Sequence, residues 1–129
     1  MTPVAIHDRH VDNLPELEYQ KFLAGAQIFR EGGSSQTAYI VHSGLVEISK
    51  IHSTGESVIG YIGAGEIFGE MAPIDAEPRM ASARALRDTI CVIVPKDLFR
   101  EKVEHADPFI RDVLRVLVQA LRSVSDRMA

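Results

Sequence analysis

The chain has 129 residues, 46% of them hydrophobic and 25% charged, which suits one globular domain with a single core. Its net charge of −4 gives no global attraction for nucleic acid, so an anion must be bound by a local site. With one cysteine, Cys91, no secretion signal and no apolar run near the ~18–20 residues that span a bilayer, we expect a cytoplasmic protein without a membrane partner.

The first part of the chain is expected to be β-rich. Residues 1–15 show little periodicity and are interpreted as an N-terminal extension of a single domain at 16–129. From Leu17 to Pro95, short apolar runs are separated by turn residues about every 8–12 positions, a spacing typical of an antiparallel sandwich or barrel. Ser53-Thr54-Gly55-Glu56 predicts a hairpin turn within this region.

Residues 96–127 change to helical spacing. Lys96 to Ala106 predicts one helix, with Phe99 and Val103 on its inner face. Asp107 and Pro108 predict the start of a second, as N-cap and first helical residue. Apolar residues then recur at alternating spacings of four and three: Ile110, Leu114, Leu117, Leu121, Val124 and Met128. This apolar stripe has two open interpretations, packing onto the β-region or forming a dimer interface, and the added Val113, Val116 and Val118 allow both.

The segment from Gly65 to Ser82 combines features that suit a ribose phosphate. Gly69 lets backbone approach a ligand closely, and one turn of helix then offers unpaired N–H groups. Arg79 lies in an apolar stretch, where an unpaired charge would cost several kcal/mol. Something must neutralise it: Glu70 or Glu77 can do so without a ligand, and a phosphate can do so when bound. Glu70 can also accept hydrogen bonds from sugar hydroxyls.

Two blocks at a fixed separation, Phe68-Gly69-Glu70-Met71-Ala72 and Pro78-Arg79-Met80-Ala81-Ser82, resemble the phosphate-binding cassette of the cyclic nucleotide-binding domain family. The resemblance covers roughly residues 20–125. It implies a mainly β fold with α: a jelly-roll-like β-roll of about eight strands over about 17–95, a short phosphate-binding helix and two C-terminal helices.

The resemblance also implies roles for individual residues. Arg79 would pair with the cyclic phosphate, and Glu70 would accept from the ribose 2′-hydroxyl. Gly69, Ala72 and Met80 would donate backbone N–H groups, and Ser82 would add a hydroxyl, with bonding to backbone as its alternative role. The predicted phosphate and ribose set is Phe68, Gly69, Glu70, Met71, Ala72, Arg79, Met80, Ala81 and Ser82.

The ligand identity and the purine site are predicted from the same resemblance. Met80 stands where members that prefer cGMP tend to carry Thr or Ser, so cAMP is favoured over cGMP, and no other cofactor is expected. Candidate walls for the purine are Ile48, Ile62 and Ala83, with core packing as their alternative role. The family caps the base from the final helix, where Leu121 is the first candidate and Arg122, whose guanidinium plane can stack, is the second.

Catalysis is not expected, and neither is a metal site. The five histidines are scattered, without the His-x-His and carboxylate grouping of a metal-binding cupin, and Ser82 has no evident base. The chain ends at Ala129, so we expect no DNA-reading domain within it.

We predict a cyclic nucleotide sensor that controls an unidentified effector. Its final helix would move about a hinge near His105 to Pro108 when the ligand binds. The alternative is a non-catalytic interaction or dimerisation module with a degenerate nucleotide pocket.

Overall fold

The computed structural model describes residues 17–128, with side chains in the last helix described to Val124, so the predicted extension at 1–15 lies outside the described residues. The described part contains eight strands and three helices. Their bounds are β1 Tyr19–Phe22, β2 Gln27–Phe29, β3 Ala38–Ser43, β4 Leu45–His52, β5 Gly55–Gly63, β6 Ile67–Phe68, α1 Met71–Asp75, β7 Ser82–Ala85, β8 Thr89–Val94, α2 Lys96–Glu104 and α3 Pro108–Met128.

The strands form two antiparallel four-stranded sheets, in the orders β1-β8-β3-β6 and β2-β7-β4-β5. The predicted mainly-β fold with an eight-stranded roll is confirmed. The predicted hairpin is also present, because β4 and β5 pair antiparallel with His52 opposite Gly55, leaving Ser53 and Thr54 as the turn. The helix α1 lies between β6 and β7, so the segment predicted to bind phosphate connects two strands and is not itself part of a sheet.

The core lies on both faces of β3. Side chains alternate along a strand, and here Tyr39 and Val41 enter one apolar cluster while Ala38 and Ile40 enter another. The second cluster is covered by Leu98 and Phe99 of α2, which explains why four consecutive residues of β3 are buried. Phe99 and Val103 are half-buried, as predicted for the inner face, although α2 ends at Glu104 rather than Ala106.

The start of α3 follows the sequence prediction closely. The Asp107 Oδ1 atom accepts a hydrogen bond from the backbone N–H of Phe109 at 2.9 Å, and the helix begins at Pro108. None of the helices within residues 17–128 is long and apolar enough to cross a membrane.

The inward face of α3 differs from the predicted stripe. Val118 is 5% exposed, and Arg111, Leu114 and Arg122 are half-buried on the same side. Of the predicted stripe, Leu114 alone is half-buried among the described side chains, while the other four are at least half exposed: Ile110 at 50%, Leu117 at 54%, Leu121 at 57% and Val124 at 51%. Of the two interpretations of the stripe, packing onto the β-region is therefore wrong for all of these residues but Leu114, and the dimer interface stays a prediction. The helix meets α1 along the neighbouring face instead, and that leaves the stripe in solvent.

Candidate functional site

Arg79 is the centre of the candidate site. It is 4% exposed, its Nη1 donates to the carbonyl of Gly69 at 2.9 Å, and its Nη2 donates to the carbonyl of Thr37 at 2.6 Å. The Nε–H is buried and has no hydrogen-bond partner among residues 17–128. The guanidinium also lies over the ring of Phe29. One donor of a buried cation therefore remains unused, which is costly in a protein interior.

Neither Glu70 nor Glu77, the two acidic residues that the sequence offers as neutralising partners of Arg79, forms an ion pair with it. Within residues 17–128, Arg79 forms no salt bridge, and the two carbonyls and the aromatic ring are its contacts. Burial lowers the pKa of Arg79, and the charges of Tyr39 and Glu70 partly oppose that effect. These contacts hold the cation without supplying a full negative charge.

The backbone of Arg79 is held by the turn that follows β2. The N–H of Gly32 donates to the Arg79 carbonyl at 2.8 Å, and the Arg79 N–H donates to the Gly33 carbonyl at 2.8 Å. The next carbonyl, that of Met80, accepts from the Nζ of buried Lys50 at 3.1 Å. These three bonds fix the direction in which the Arg79 side chain leaves the backbone.

Gly69 brings the other half of the predicted cassette against Arg79. Its φ of +75° lies in the left-handed region, and a Cβ added there would stand 2.8 Å from the Arg79 Nη1 atom. Both the conformation and the close approach require glycine. They also aim the Gly69 carbonyl at the guanidinium.

Glu70 stands at the N-cap position of α1, but its side chain makes no capping hydrogen bond. Burial raises the pKa of this carboxyl, while a bond to its own backbone and the charge of Arg79 act in the opposite direction. A half-buried carboxylate of this kind is available to accept hydrogen bonds from a ligand's hydroxyl groups.

A cavity of about 220 Å³ opens beside these residues, with mainly apolar walls. Most of the predicted site residues line it: Ile48, Ile62, Phe68, Gly69, Glu70, Met71, Ala72, Arg79, Met80, Ala81 and Arg122. Phe29 and Ile67 line it as well, although the sequence prediction does not include them. An arginine and a carboxylate at one side of an apolar cleft suit a ligand with an anionic, hydroxylated part and a flat apolar part.

Three predicted residues lie elsewhere. The Ser82 hydroxyl accepts a hydrogen bond from the Glu31 N–H at 2.9 Å, which is its alternative role of bonding to backbone. Ala83 is fully buried in the core cluster, again its alternative role. Leu121 is 57% exposed and does not line the cavity, because α3 turns Val118 and Arg122 inward instead.

Arg122 brings α3 to the rim of the site through contacts that the sequence prediction does not include. Its Nε and Nη2 donate to the carboxylate of Asp75, with Nη2 at 3.0 Å from Oδ1, and its Nη1 donates to the Pro78 carbonyl at 2.8 Å. The sequence does indicate that Asp75 needs a cationic partner, because an acidic residue at the C-terminal end of a helix opposes the helix dipole unless a cation compensates it. For Thr37 no such signal exists, since it acts through its backbone carbonyl.

Comparison with known proteins gives one family and several relatives. The family model described as "Cyclic nucleotide-binding domain" matches residues 19–106. The chain is 29% identical to the CRP-like cAMP-activated global transcriptional regulator of Mycobacterium tuberculosis, over 88% of this chain and 51% of that protein. It is 41% identical to the Cyclic AMP receptor protein of Thermus thermophilus, over 76% of this chain and 46% of that protein.

A solved structure, the cAMP-bound form of the EAL enzyme Bd1971, is similar with a TM-score of 0.80 and 36% identity, over 86% of this chain and 30% of that one. The chain thus spans about half the length of the bacterial regulators that it matches.

Proposed function

The chain belongs to the cyclic nucleotide-binding domain family, and we propose that it binds a cyclic nucleotide in the cavity beside Arg79, with cAMP preferred over cGMP. The observation that carries this proposal is the buried guanidinium whose Nε–H has no partner in the part of the chain that the structure describes. A cyclic phosphate has one negative charge and two free oxygens, so it can accept from Nε and from a second hydrogen on an Nη atom at once.

The position of the phosphate determines where the ribose and the purine of the ligand lie. Glu70, which lines the same cavity, accepts from the ribose 2′-hydroxyl. The purine lies against the apolar wall that includes Ile48 and Ile62. The preference for cAMP is supported by Met80, which lines the cavity at the position where members that prefer cGMP tend to carry a hydroxyl. It is also supported by the two bacterial relatives, a cAMP-activated regulator and a Cyclic AMP receptor protein. Bd1971 also has a cGMP-bound form, so the preference is one of degree.

Binding changes the position of α3 by a population shift. The helix pivots near His105 to Pro108, between α2 and α3, and the part of α3 that carries Arg122 closes over the site. The ligand moves this equilibrium only by as much as it binds the closed form more tightly than the open form. The domain is a regulatory part without catalysis of its own, and an attached or separate effector performs the output. A cytoplasmic location stays a prediction.

A second copy of the chain is the proposed partner for the exposed stripe on α3. Ile110, Leu117, Leu121 and Val124 are each at least half exposed, at the spacing that packs two helices together. Burying these side chains against their equivalents forms a homodimer. The same surface serves the alternative function, an interaction module without a ligand. The buried Arg79, whose Nε–H has no partner among residues 17–128, argues against that alternative.

Isothermal titration calorimetry tests the proposed function. The chain is titrated with cAMP, cGMP, 5′-AMP and adenosine; we expect micromolar or tighter binding of cAMP, weaker binding of cGMP, and no binding of adenosine because it lacks the phosphate. Saturating cAMP at a hundredfold excess over its dissociation constant should stabilise the fold by about 2.7 kcal/mol. Absence of heat and of stabilisation with both cyclic nucleotides would leave the interaction module as the better interpretation.

A further inference from the structure

Asp75, the last residue of α1, joins the cassette to α3. Its carboxylate accepts two hydrogen bonds from the guanidinium of Arg122, and the carbonyl of Pro78 accepts a third. The side chains of Asp75 and Arg122 are only 19% and 18% exposed. All three guanidinium nitrogens of Arg122 are therefore engaged by the segment that leads into Arg79.

The backbone around Asp75 ends α1, because the Ala76 N–H donates to the Ala72 carbonyl at 2.8 Å, and it also permits the contact with Arg122. A carboxylate at a helix C-terminus is unfavourable to the helix dipole. The next residue, Ala76, has a left-handed φ of 59°, which a residue with a side chain seldom adopts. This turn brings the Asp75 carboxylate and the Pro78 carbonyl to the same guanidinium, and the Asp75 Oδ1 atom also accepts from the Glu77 N–H at 3.1 Å.

Arg122 is shared by two cavities. It is the α3 residue in the lining of the 220 Å³ cavity, and it also borders a larger outer groove of about 950 Å³ between the helices and the β-roll. Asp75 lines only the outer groove. The carboxylate therefore acts on the inner cavity through Arg122 and does not itself reach a ligand there.

We propose that Asp75 is a positioning residue of the nucleotide site, which holds Arg122 and with it α3 in the closed position over the cavity. This inference rests on the proposed function. Without Asp75 the closed form is less populated. The apparent dissociation constant is the intrinsic constant of the closed form divided by the closed fraction, so it rises as that fraction falls. We expect a loss of about tenfold in cAMP affinity, within the range typical of coupling between sites.

The first experiment needs no ligand. Spin labels are placed on Ala120→Cys in α3 and on Arg87→Cys in the loop between β7 and β8, both exposed, while the buried thiol of Cys91 is left in place. Pulsed dipolar spectroscopy should show more of the short distance of the closed form in the parent than in Asp75→Asn, where the longer distances of the open form should gain weight. Glu77→Gln is the matched control, because it removes an exposed carboxylate two residues away and should leave the distribution unchanged.

The second experiment titrates cAMP into the parent, Asp75→Asn, Glu77→Gln, Arg122→Leu and the Asp75→Asn/Arg122→Leu double variant. Asp75→Asn should weaken binding about tenfold, and it should add nothing once Arg122 is Leu, because residues that act through each other are not additive. Asp75→Glu should recover part of the affinity by restoring the carboxylate. An equal loss from Asp75→Asn in both backgrounds overturns the inference.

The two experiments separate the failure of the inference from that of the proposed function. If the parent binds cAMP but Asp75→Asn leaves both the distances and the affinity unchanged, the positioning role alone is overturned. If the parent binds no nucleotide, both the proposed function and the inference fail, whatever the distances show. Should Asp75→Asn not fold, as judged by circular dichroism, the same distance measurement on Arg122→Gln tests the Asp75–Arg122 contact by changing the other residue of the pair.

Discussion

The guanidinium carbon of Arg79 lies 4.1 Å from the centre of the Phe29 ring, within the range of a cation–π contact. One side of the cation is thereby covered, and two of its nitrogens are held by the carbonyls of Gly69 and Thr37. The protein keeps a buried positive charge in place with neutral groups, and leaves the Nε–H unpaired. An anion that fits the neighbouring cavity can supply both the missing hydrogen bond and the missing charge.

Replacement of Arg79 should therefore abolish tight binding while leaving the fold intact. We expect Arg79→Ala to weaken cAMP binding by about 2–5 kcal/mol, because the phosphate then loses its partner in a desolvated site. The control is Arg84→Ala, which removes an exposed arginine that pairs with Glu47 at 3.0 Å. Calorimetry measures both variants, and an affinity equal to that of the parent would show that Arg79 does not bind the phosphate.

Gly69→Ala should damage stability and binding together. The new Cβ would stand 2.8 Å from the Arg79 Nη1 atom and 3.2 Å from the Phe29 ring, at a φ of +75°. The strain should cost about 1–3 kcal/mol in the free energy of unfolding, measured by urea titration. At Gly60, where an added Cβ meets nothing within 4 Å, alanine should have a much smaller effect. Equal losses at the two glycines would contradict the close approach at Gly69.

Glu70 should make stability depend on pH. Burial raises its folded pKa above the ordinary 4.5, so the folded state binds the proton more tightly than the unfolded state does. The contribution of Glu70 to stability is therefore greatest below pH 4.5 and falls as pH rises through the folded pKa. Glu70→Gln should be more stable than the parent near neutral pH and should lose that advantage in acid. Urea unfolding at several pH values tests this, with Glu77→Gln as control, and a gain independent of pH would contradict it.

The exposed stripe on α3 should set the oligomeric state. Leu117→Glu combined with Val124→Glu places charges in the proposed interface, so we expect monomers by sedimentation equilibrium where the parent is a dimer. Gln119→Glu combined with Ser123→Glu adds the same two charges at exposed polar positions of the helix, and should leave the dimer intact. A monomeric parent would contradict the proposed homodimer.

Cys91 should be unreactive in the folded protein. Its side chain is fully buried between the sheets, and burial raises the pKa of the thiol to about 11. Little thiolate is then present near neutral pH, so alkylation by iodoacetamide should be slow until the chain unfolds. Mass spectrometry of the modified fraction, with and without denaturant, provides the measurement. Rapid labelling without denaturant would mean that β8 opens readily.

The sequence by itself determined those features that depend on neighbouring residues. The spacing of apolar runs and turns predicts the strands, since side chains alternate along a strand within a few residues. Asp107 and Pro108 predict the start of α3, because a helix start is satisfied locally. The motif around Gly69 and Arg79 indicates the family, since its residues are adjacent in two short blocks.

The tertiary structure alone decided the features that depend on distant parts of the chain. Arg79 meets the carbonyl of Thr37, 42 positions away, and Arg122 meets Asp75, 47 positions away. A local pattern can indicate that Asp75 needs a cation, but it does not identify which distant residue supplies it, and it gives no sign at all of a carbonyl, which every residue carries. Likewise, α3 has apolar side chains on more than one face, and the packing of α3 against α1 selects the face with Val118 while leaving Leu121 in solvent. A pattern shows that a side chain is suited to burial, whereas the neighbours that the folded chain brings to it decide whether it is buried.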